Sequence, residues 1–369
     1  MTDTVILQPV SAADLRTEQI YDQWSDPESI ARMTGSKRTA FLCNPLLPGD
    51  SETVQIVATH EGRVVGRMDF LSGEFLVGGT RIPTTWGSSL FVSPNARGMG
   101  VGLKLVEAMH ALKDTVAICG ISEMSSRMYD KLHWTRFLIP RYVCLIRSQP
   151  LVQRYWGSRP GSGLASMLGD AALSIPRGLA AVSVRAQQRG IRVREAASLP
   201  QSLDAALRAP APVAAPHRSV AWVNWLLENR FDDDPRTRRK LFLLETADGT
   251  VRGYFIVKLR FIDEGQRYSF GHFAMGSLQD WFSAVPHELS LTTISLMAMR
   301  EAASMGAATF AAFLPGKSSP RVLRSLGFLP FPGLDFIYRA TPGTLLAGAK
   351  FNHPAAWRMR PADGDNFFS

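Results

Sequence analysis

The stretch that decides the fold reads LFVSPNARGMGVGL and runs from Leu90 to Leu103. An apolar run leads into it and helical spacing follows it, so the pattern predicts a strand, a glycine-rich turn and a helix. Such a turn presents unpaired backbone N–H groups at the positive end of a helix dipole, where they can hold phosphate oxygens. Glycine at positions Gly98, Gly100 and Gly102 lets a phosphate approach the backbone. The stretch therefore predicts a site for a diphosphate ligand.

The spacing of the glycines narrows the choice of ligand. Leu103 stands where a dinucleotide fingerprint needs its third glycine, and no lysine stands where a Walker-type loop needs one. The pattern R-x-x-G-x-G from Arg97 to Gly102, after F-V-x-P, resembles the acyl-CoA pyrophosphate loop of the GNAT acetyltransferase superfamily. This resemblance implies a set of residues that bind the cofactor: Leu90, Phe91, Val92, Arg97, Gly98, Met99, Gly100, Val101 and Gly102.

A second motif lies in the same half of the chain. Met128 to Trp134 reads MYDKLHW, which is similar to the Leu-Tyr-x-Lys-Leu-Gly-Phe helix end of that superfamily, with His133 in the glycine place. In the superfamily the tyrosine lies near the thioester sulfur and can protonate the leaving thiolate, so the resemblance implies that Tyr129 is catalytic. A phenol with an ordinary pKa of about 10 is protonated at neutral pH and suits a general acid.

The resemblance also implies how the acyl group is transferred. The backbone from Leu90 to Val92 is expected to run beside pantetheine, with one N–H group polarising the acyl carbonyl as in an oxyanion hole. Superfamily members normally transfer the acyl group directly to a bound amine, and no Cys-His pair or nucleophile elbow indicates a covalent intermediate. The general base stays open, since a base acting through water would leave no motif; the candidates are Asp69, Glu74, His110 and His133.

Strands and helices alternate in both halves of the chain. The first half predicts strands at Thr4–Gln8, Val54–Thr59, Arg63–Leu71, Thr84–Val92, Thr115–Cys119 and Arg141–Ile146, with helices at Val101–Lys113 and Ser125–Leu132. The second half predicts strands at Ile191–Ala196, Leu241–Glu245, Val251–Arg260, Tyr268–Met275, Thr309–Phe313 and Phe336–Ala340, with helices at Leu289–Ser304 and Pro320–Leu326. The repeated order predicts two α/β domains of the same fold with mixed sheets, that is, a tandem GNAT chain.

We expect four segments: a catalytic domain at 1–147, a helical connector at 148–190, a second GNAT-like domain at 191–341 and a tail at 342–369. In the second domain Leu323 stands at the tyrosine place, and no glycine turn precedes the helix at Leu289. The second domain is therefore expected to have lost cofactor binding and to form one wall of the acceptor site. The tail either folds back over that site through His353, Trp357, Arg358, Asp363 and Asp365 or is frayed at its end.

Residues 141–194, which are the connector and its flanks, carry most of the net charge of +9. Residues 141–194 hold nine arginines and a single acid, Asp170, so the excess belongs to this segment and does not indicate a nucleic-acid-binding protein. Leu164 to Gln188 is predicted to be helical with an interruption at Pro176. The segment is either a connector packed between domains or a basic amphipathic surface that makes weak contact with an anionic membrane.

Bulk composition excludes several classes of protein. Three scattered cysteines, Cys43, Cys119 and Cys144, build neither a disulfide framework nor a zinc site, so we expect a reduced cytoplasmic protein without a metal. No stretch is long and apolar enough to span a bilayer, and no signal peptide is recognisable.

The sequence thus predicts an acyltransferase that uses acetyl-CoA, or another acyl-CoA, with one active site per chain. The expected acceptor is an amine or hydroxyl of a small molecule or a sugar. The alternative is a non-catalytic acyl-CoA-binding regulator or scaffold, which would keep the Arg97–Gly102 turn but would not need Tyr129.

Overall fold

The computed structural model describes residues 4–24, 30–157, 159–187, 190–210, 213–229, 234–263, 272–286, 289–314 and 320–364. The chain forms two compact units. Unit 1 comprises Met1–Leu138, Arg208–Asp233 and Leu334–Ser369, and unit 2 comprises Ile139–Leu207 and Asp234–Gly333.

Strands and helices are numbered in chain order. The strands are β1 (Ile6–Ser11), β2 (Thr53–His60), β3 (Arg63–Val77), β4 (Thr80–Val92), β5 (Thr115–Cys119), β6 (Thr135–Leu145), β7 (Ile191–Ala196), β8 (Ala215–Pro216), β9 (Arg238–Thr246), β10 (Val251–Ile262), β11 (Phe273–Ser283), β12 (Thr309–Phe313) and β13 (Phe328–Ala340). The helices are α1 (Ala12–Thr17), α2 (Gly35–Leu42), α3 (Val101–Leu112), α4 (Glu123–Lys131), α5 (Gln149–Trp156), α6 (Ser162–Gln187), α7 (Asp204–Leu207), α8 (Val220–Glu228), α9 (Leu291–Ser304) and α10 (Pro320–Ser325).

The sheet of unit 1 has the order β1-β2-β3-β4-β5-β13, where β13 contributes its carboxyl-terminal half. Neighbouring strands are antiparallel except for β4 and β5, which are parallel. Helix α3 connects those two strands and buries Val101, Leu105, Val106 and Met109. These side chains pack with apolar residues of β2, β3 and β5 in the core of the unit.

Unit 2 repeats this arrangement with the order β7-β9-β10-β11-β12-β6, again with one parallel pair, β11 and β12. Helix α9 connects the parallel pair and packs into the core of the unit through Ile294, Leu296 and Met297. Both halves of the chain therefore build a mixed α/β unit with the same strand order, which is the predicted duplication.

The sixth strand of each unit comes from the other half of the sequence. The unit boundaries fall inside β6, after Leu138, and inside β13, after Gly333. The compact units therefore divide the chain differently from the segments 1–147 and 191–341, which follow chain order. The helices α5 and α6 of the segment 148–190 belong to unit 2.

One sequence expectation was wrong, the interruption of the connector helix at Pro176. Helix α6 continues past Pro176 to Gln187. The fixed φ of proline, about −65°, is compatible with a helix, so Pro176 removes one backbone hydrogen bond without ending the helix. The strand expected at Tyr268–Met275 is β11, which begins at Phe273 and pairs with β10 along its whole length; residues 268–271 lie outside the described part of the chain.

Candidate functional site

A bulge in β4 opens the sheet of unit 1. Phe91 of β4 is opposite Arg67 and Ser88 is opposite Asp69, so two residues of β4 face one residue of β3. Ser89 within the bulge has a φ of +49°. The parallel pairing of β4 with β5 ends at Trp86, although both strands run on. Because a bulge bends its strand, β4 and β5 diverge beyond this point and leave backbone groups of both strands facing a cavity.

A buried lysine forms hydrogen bonds to side chains on both strands at this bulge. The Lys37 ammonium group, on α2, donates to Asp69 Oδ2 at 2.6 Å, to Ser89 Oγ at 2.6 Å and to Ser88 Oγ at 3.1 Å. Asp69 is fully buried, and its Oδ1 accepts from Gln55 Nε2 at 2.9 Å. An ion pair with this geometry, enclosed and hydrogen-bonded on all sides, fixes the side chains that hold the bulge.

The glycine turn leads from β4 into α3. Residues Pro94–Ala96 form a short 3-10 helix, and the turn continues through Gly98 and Gly100, with φ values of +93° and +74°. These are left-handed conformations that glycine adopts without strain. Gly100 is the N-cap of α3 and offers no side chain to cap the helix. The first backbone N–H groups of α3 are therefore left open at the positive end of the helix dipole.

The space around Gly102 indicates whether this turn suits a phosphate. A Cβ added there would lie 3.6 Å from Met128 Sδ and 3.6 Å from Val92 Cγ2, which are ordinary contact distances. The protein itself would therefore tolerate a side chain at this position. Since Met128 and Val92 both line the cavity, such a side chain would occupy space that a ligand needs. The glycine fits a bound diphosphate better than it fits internal packing.

Tyr129 faces the same cavity from α4. Its side chain is only 2% exposed, and its ring packs against Trp134 with the centroids 5.2 Å apart. Within the described residues its hydroxyl makes no hydrogen bond. Burial raises the pKa of the Tyr129 phenol above its ordinary value, so the group stays protonated at neutral pH. His133, in the glycine place of the motif, has a φ of +56° and is exposed.

The cavity has a volume of about 900 Å³. It brings together eight of the nine predicted cofactor-binding residues and Tyr129; Met99 is the one that does not line it. Sequence reasoning missed the part of the wall that comes from β5, from the turn after it and from α4: Ile118, Cys119, Gly120, Ile121, Ser122, Met124, Ser125, Arg127, Met128, Lys131 and Leu132.

The charged side chains that line the cavity are all cationic. The lining includes the cations Arg97, Arg127 and Lys131 and no carboxylate. Arg127 and Lys131 are four residues apart, so they lie on one face of α4. Neither makes an ion pair within the described residues. This spacing was visible in the sequence and could have added both residues to the prediction. The charge arrangement suits an anionic ligand.

The four candidate bases do not line the cavity. Asp69 is ion-paired to Lys37 and completely buried. Glu74 lies five residues further along β3, about 17 Å away at the usual strand rise, with Arg81 3.9 Å from its carboxylate. His110 is near the end of α3 and His133 follows α4, and both lie outside the cavity wall. No general base is assigned by this geometry.

The described part of the tail is folded into unit 1. Trp357 is 2% exposed, donates from Nε1 to Phe351 O at 2.7 Å and packs against Phe75 and Phe336. Asp363 is buried and accepts hydrogen bonds from Arg218 and from the backbone of Arg360. Gly364 lies so close to Trp86 that an added Cβ would be 3.0 Å from the indole ring. A frayed tail is excluded as far as Gly364; Asp365 lies outside the described residues.

The matching helix of unit 2 differs at its amino terminus. Ser290 is the N-cap of α9, and its Oγ accepts from Thr293 N at 3.2 Å. Leu323, at the tyrosine place, is fully buried in the apolar core. Where unit 1 has an uncapped helix and a phenol, unit 2 has a capped helix and an aliphatic side chain.

Comparison with known proteins bears on the fold. No family model matches the chain, and neither does any curated protein. A crystal structure of N-myristoyltransferase from Saccharomyces cerevisiae, with bound myristoyl-CoA and inhibitors, is similar at a TM-score of 0.52 and 13% identity over 97% of this chain and 87% of that one. A GCN5-related N-acetyltransferase from Anabaena variabilis is similar at a TM-score of 0.52 and 11% identity over 91% of this chain and 73% of that one.

Both similarities extend over nine tenths of the chain. They show that it has the GNAT fold, which is the fold of acyl-CoA-dependent N-acyltransferases. Together with the repeated strand order, they make this chain a tandem of two GNAT-like units.

Two further features concern metals and membranes. Among the described residues, no group of three or more His, Cys, Asp or Glu side chains is placed to hold a metal ion. No helix in the part of the chain that the structure describes combines the length and the apolar character needed to cross a membrane.

Proposed function

We propose that unit 1 is an acyl-CoA-dependent acyltransferase with one active site per chain. The observation that carries this proposal is the meeting, in one cavity, of an uncapped glycine-led helix terminus and a buried phenol that makes no hydrogen bond to the described part of the chain. The first feature suits a diphosphate and the second suits a leaving group at some distance from it. A regulator that only binds acyl-CoA would need the first feature alone.

In this proposal the pyrophosphate of acyl-CoA binds to the backbone N–H groups of the turn from Arg97 to Gly102. Arg127 and Lys131 supply further positive charge for the phosphates. Pantetheine runs beside Leu90–Val92, where the bulge has freed β4 from β5, and an N–H group of that backbone polarises the acyl carbonyl.

The transfer is a direct attack by the acceptor. The lone pair of an amine or hydroxyl attacks the thioester carbonyl carbon, charge develops on the carbonyl oxygen, and the C–S bond breaks to release the thiolate of CoA. The proton that the attacking amine or hydroxyl loses passes to solvent water. Tyr129 donates a hydrogen bond to the sulfur as this charge develops. The pKa of an ordinary phenol, about 10, already exceeds that of an ordinary thiol, about 8.5, and burial raises the pKa of Tyr129 further. Complete proton transfer to the thiolate is therefore uphill, and the hydrogen bond is the main contribution.

The donor is proposed to be acetyl-CoA and the acceptor a small molecule or a sugar. The two structural neighbours are an acetyltransferase and a protein with bound myristoyl-CoA, so the fold accommodates short and long acyl groups. Acyl length is therefore best measured directly, with acetyl-CoA and myristoyl-CoA compared in the same assay.

The test is thiol release from acyl-CoA by the purified chain, with a pool of amines, amino sugars and hydroxyl acceptors and mass spectrometry of the products. We expect acylated product from the wild type and a loss of about ten- to a hundredfold in Tyr129→Phe, because a hydrogen bond to a charged group contributes about 1.5–3 kcal/mol. Tyr338→Phe is the matched control, because Tyr338 is equally buried and bonds to Asn352 instead of facing the cavity. Tight binding of CoA without acylation of any acceptor would favour a non-catalytic acyl-CoA-binding regulator. If CoA did not bind, both the acyltransferase and the regulator would be excluded.

A further inference from the structure

An apolar stripe on α6 faces solvent. Leu164, Met167 and Leu168 are 58%, 61% and 60% exposed, and Ala171 and Ala172 continue the stripe at helical spacing. In a globular protein a stripe of this kind normally packs on the core. Here it is the outer face of the helix, which calls for an explanation.

The inner face of α6 is fixed, so the helix cannot turn to bury the stripe. Ser148 Oγ donates to Ser166 O at 2.8 Å and to Asp170 Oδ1 at 2.9 Å. Gly169 lies so close to Ser148 that an added Cβ would be 2.7 Å from its side chain. Residues 166, 169 and 170 therefore hold one side of the helix against Ser148, and the apolar stripe lies on the other.

Two aromatic side chains that precede α6 in the chain are also exposed to solvent. Tyr155 and Trp156, at the end of α5, are 76% and 50% exposed. Gly157 ends α5 and α6 begins at Ser162, so the aromatic pair precedes Leu164 by only a few residues along the chain. Tyrosine and tryptophan are the residues that favour the boundary between water and acyl chains.

The segment that contains the stripe is basic in sequence. Residues 141–194 include nine arginines and a single acid, Asp170, which accepts from Ser148 on the inner face of α6. Arg194 is paired with Glu245, and Arg141 lies over the Phe331 ring. Arg147, Arg159 and Arg192 are exposed. A second copy of this chain, docked through the same surface, would bring like charges together. A plane of anionic headgroups attracts them, and the acyl layer beneath accepts apolar side chains without a matching shape.

We propose that α5 and α6 form a docking surface for an anionic lipid bilayer, with Trp156, Leu164, Met167 and Leu168 entering the headgroup region. The surface is independent of the acyl-CoA cavity, which lies in unit 1. Its occupant is a membrane surface, and the attachment is peripheral.

The full chain is tested by flotation with vesicles of phosphatidylcholine alone and with one third phosphatidylglycerol. We expect binding to the anionic vesicles, weak binding to the neutral ones, and a strong fall at high salt, where the screening length drops to about 3 Å. Leu168→Glu is expected to weaken binding about tenfold or more. Leu329→Glu is the matched control, because Leu329 is 69% exposed elsewhere in unit 2 and is expected to leave binding unchanged.

Three results would overturn the proposal. The first is a wild-type chain that does not float with anionic vesicles. The second is equal weakening by Leu168→Glu and the control. The third is self-association in ultracentrifugation that Leu168→Glu abolishes, which would assign the stripe to a second copy. Thermal melting of both variants separates a lost contact from a lost fold.

Discussion

Replacing Lys37 by methionine tests the physical role of the buried network beside the bulge. The change keeps an unbranched side chain of similar length but removes the ammonium group that contacts Asp69, Ser88 and Ser89. Asp69 is fully buried and would then keep Gln55 as its hydrogen-bond donor, with Arg67 Nε 4.0 Å from Asp69 Oδ1 as the nearest remaining cation. The variant therefore tests a buried carboxylate that has lost its hydrogen-bonded cation, not a lost surface contact.

The magnitude follows from the burial of both partners. The Lys37 and Asp69 side chains are 7% and 0% exposed, so water cannot replace the lost ammonium group. Removal of one member of such a pair costs about 3–5 kcal/mol of unfolding free energy. For a unit of about 150–250 residues, each kcal/mol shifts the melting temperature by about 2–4 °C, which gives a decrease of roughly 6–20 °C.

The assay is thermal and urea unfolding of Lys37→Met, Asp69→Asn and the double variant. Asparagine keeps an oxygen that accepts from Gln55 but carries no charge. The double variant is therefore expected to recover at least about 2 kcal/mol relative to Lys37→Met, which would appear as a favourable coupling in the cycle. A loss below about 1 kcal/mol in the single variant, or a double variant no more stable than it, would refute this account of the network.

Three further predictions concern the cavity of unit 1. Gly100→Ala is expected to cost about 1–2 kcal/mol of stability, because its φ of +74° is left-handed, and to weaken CoA binding measured by calorimetry. Tyr129→Phe is expected to lower kcat and to leave the KM for acyl-CoA almost unchanged. Because burial raises the pKa of the phenol, wild-type kcat should show no loss from Tyr129 ionisation below about pH 10. Arg127→Ala and Lys131→Ala are each expected to weaken CoA binding, and the weakening should shrink as salt rises.

Each of these has its own control. Gly35→Ala is the comparison for Gly100, since an added Cβ there meets nothing within 4 Å and no positive φ is involved. For Tyr129, the pH dependence of the unfolding free energy is a second measurement, because the pKa of the phenol is higher in the folded chain than in the unfolded one. The neutral phenol stabilises the folded chain fully below about pH 10 and less above it. Stability above pH 10 should therefore fall less steeply in Tyr129→Phe than in the wild type. Equal losses at low and high salt in the Arg127 variant would contradict an electrostatic role.

The local motifs were predictable from sequence because their chemistry is contained in short stretches. Gly98 and Gly100 stand where the backbone needs a positive φ, and α3 begins at Val101 as the spacing indicated. Tyr129 lies on α4, within the expected helix. In these cases the residue types alone predict the local backbone conformation.

The network at the bulge was not predictable in the same way. Lys37 is 32 residues from Asp69 and 52 residues from Ser89 along the chain, so their meeting depends on the register of β3 against β4 and on the docking of α2. No local sequence pattern indicates the register of these strands or the position of α2. The exchange of β6 and β13 was hidden for a related reason: each is a strand of similar length and character, and chain order alone assigns each to its own half.

The contrast between the two units leads to a prediction about stoichiometry. In unit 1 the first N–H groups of α3 are left open by Gly100, whereas in unit 2 Ser290 already satisfies Thr293 N at the start of α9. A phosphate at α9 would have to displace this capping hydroxyl, which is worth about 1 kcal/mol, and would find no glycine turn behind it. Calorimetric titration should therefore give one CoA per chain, and Gly100→Glu should abolish it while Ser290→Glu leaves it unchanged. Two equivalents of CoA, with one lost in each variant, would mean that unit 2 has kept a working site.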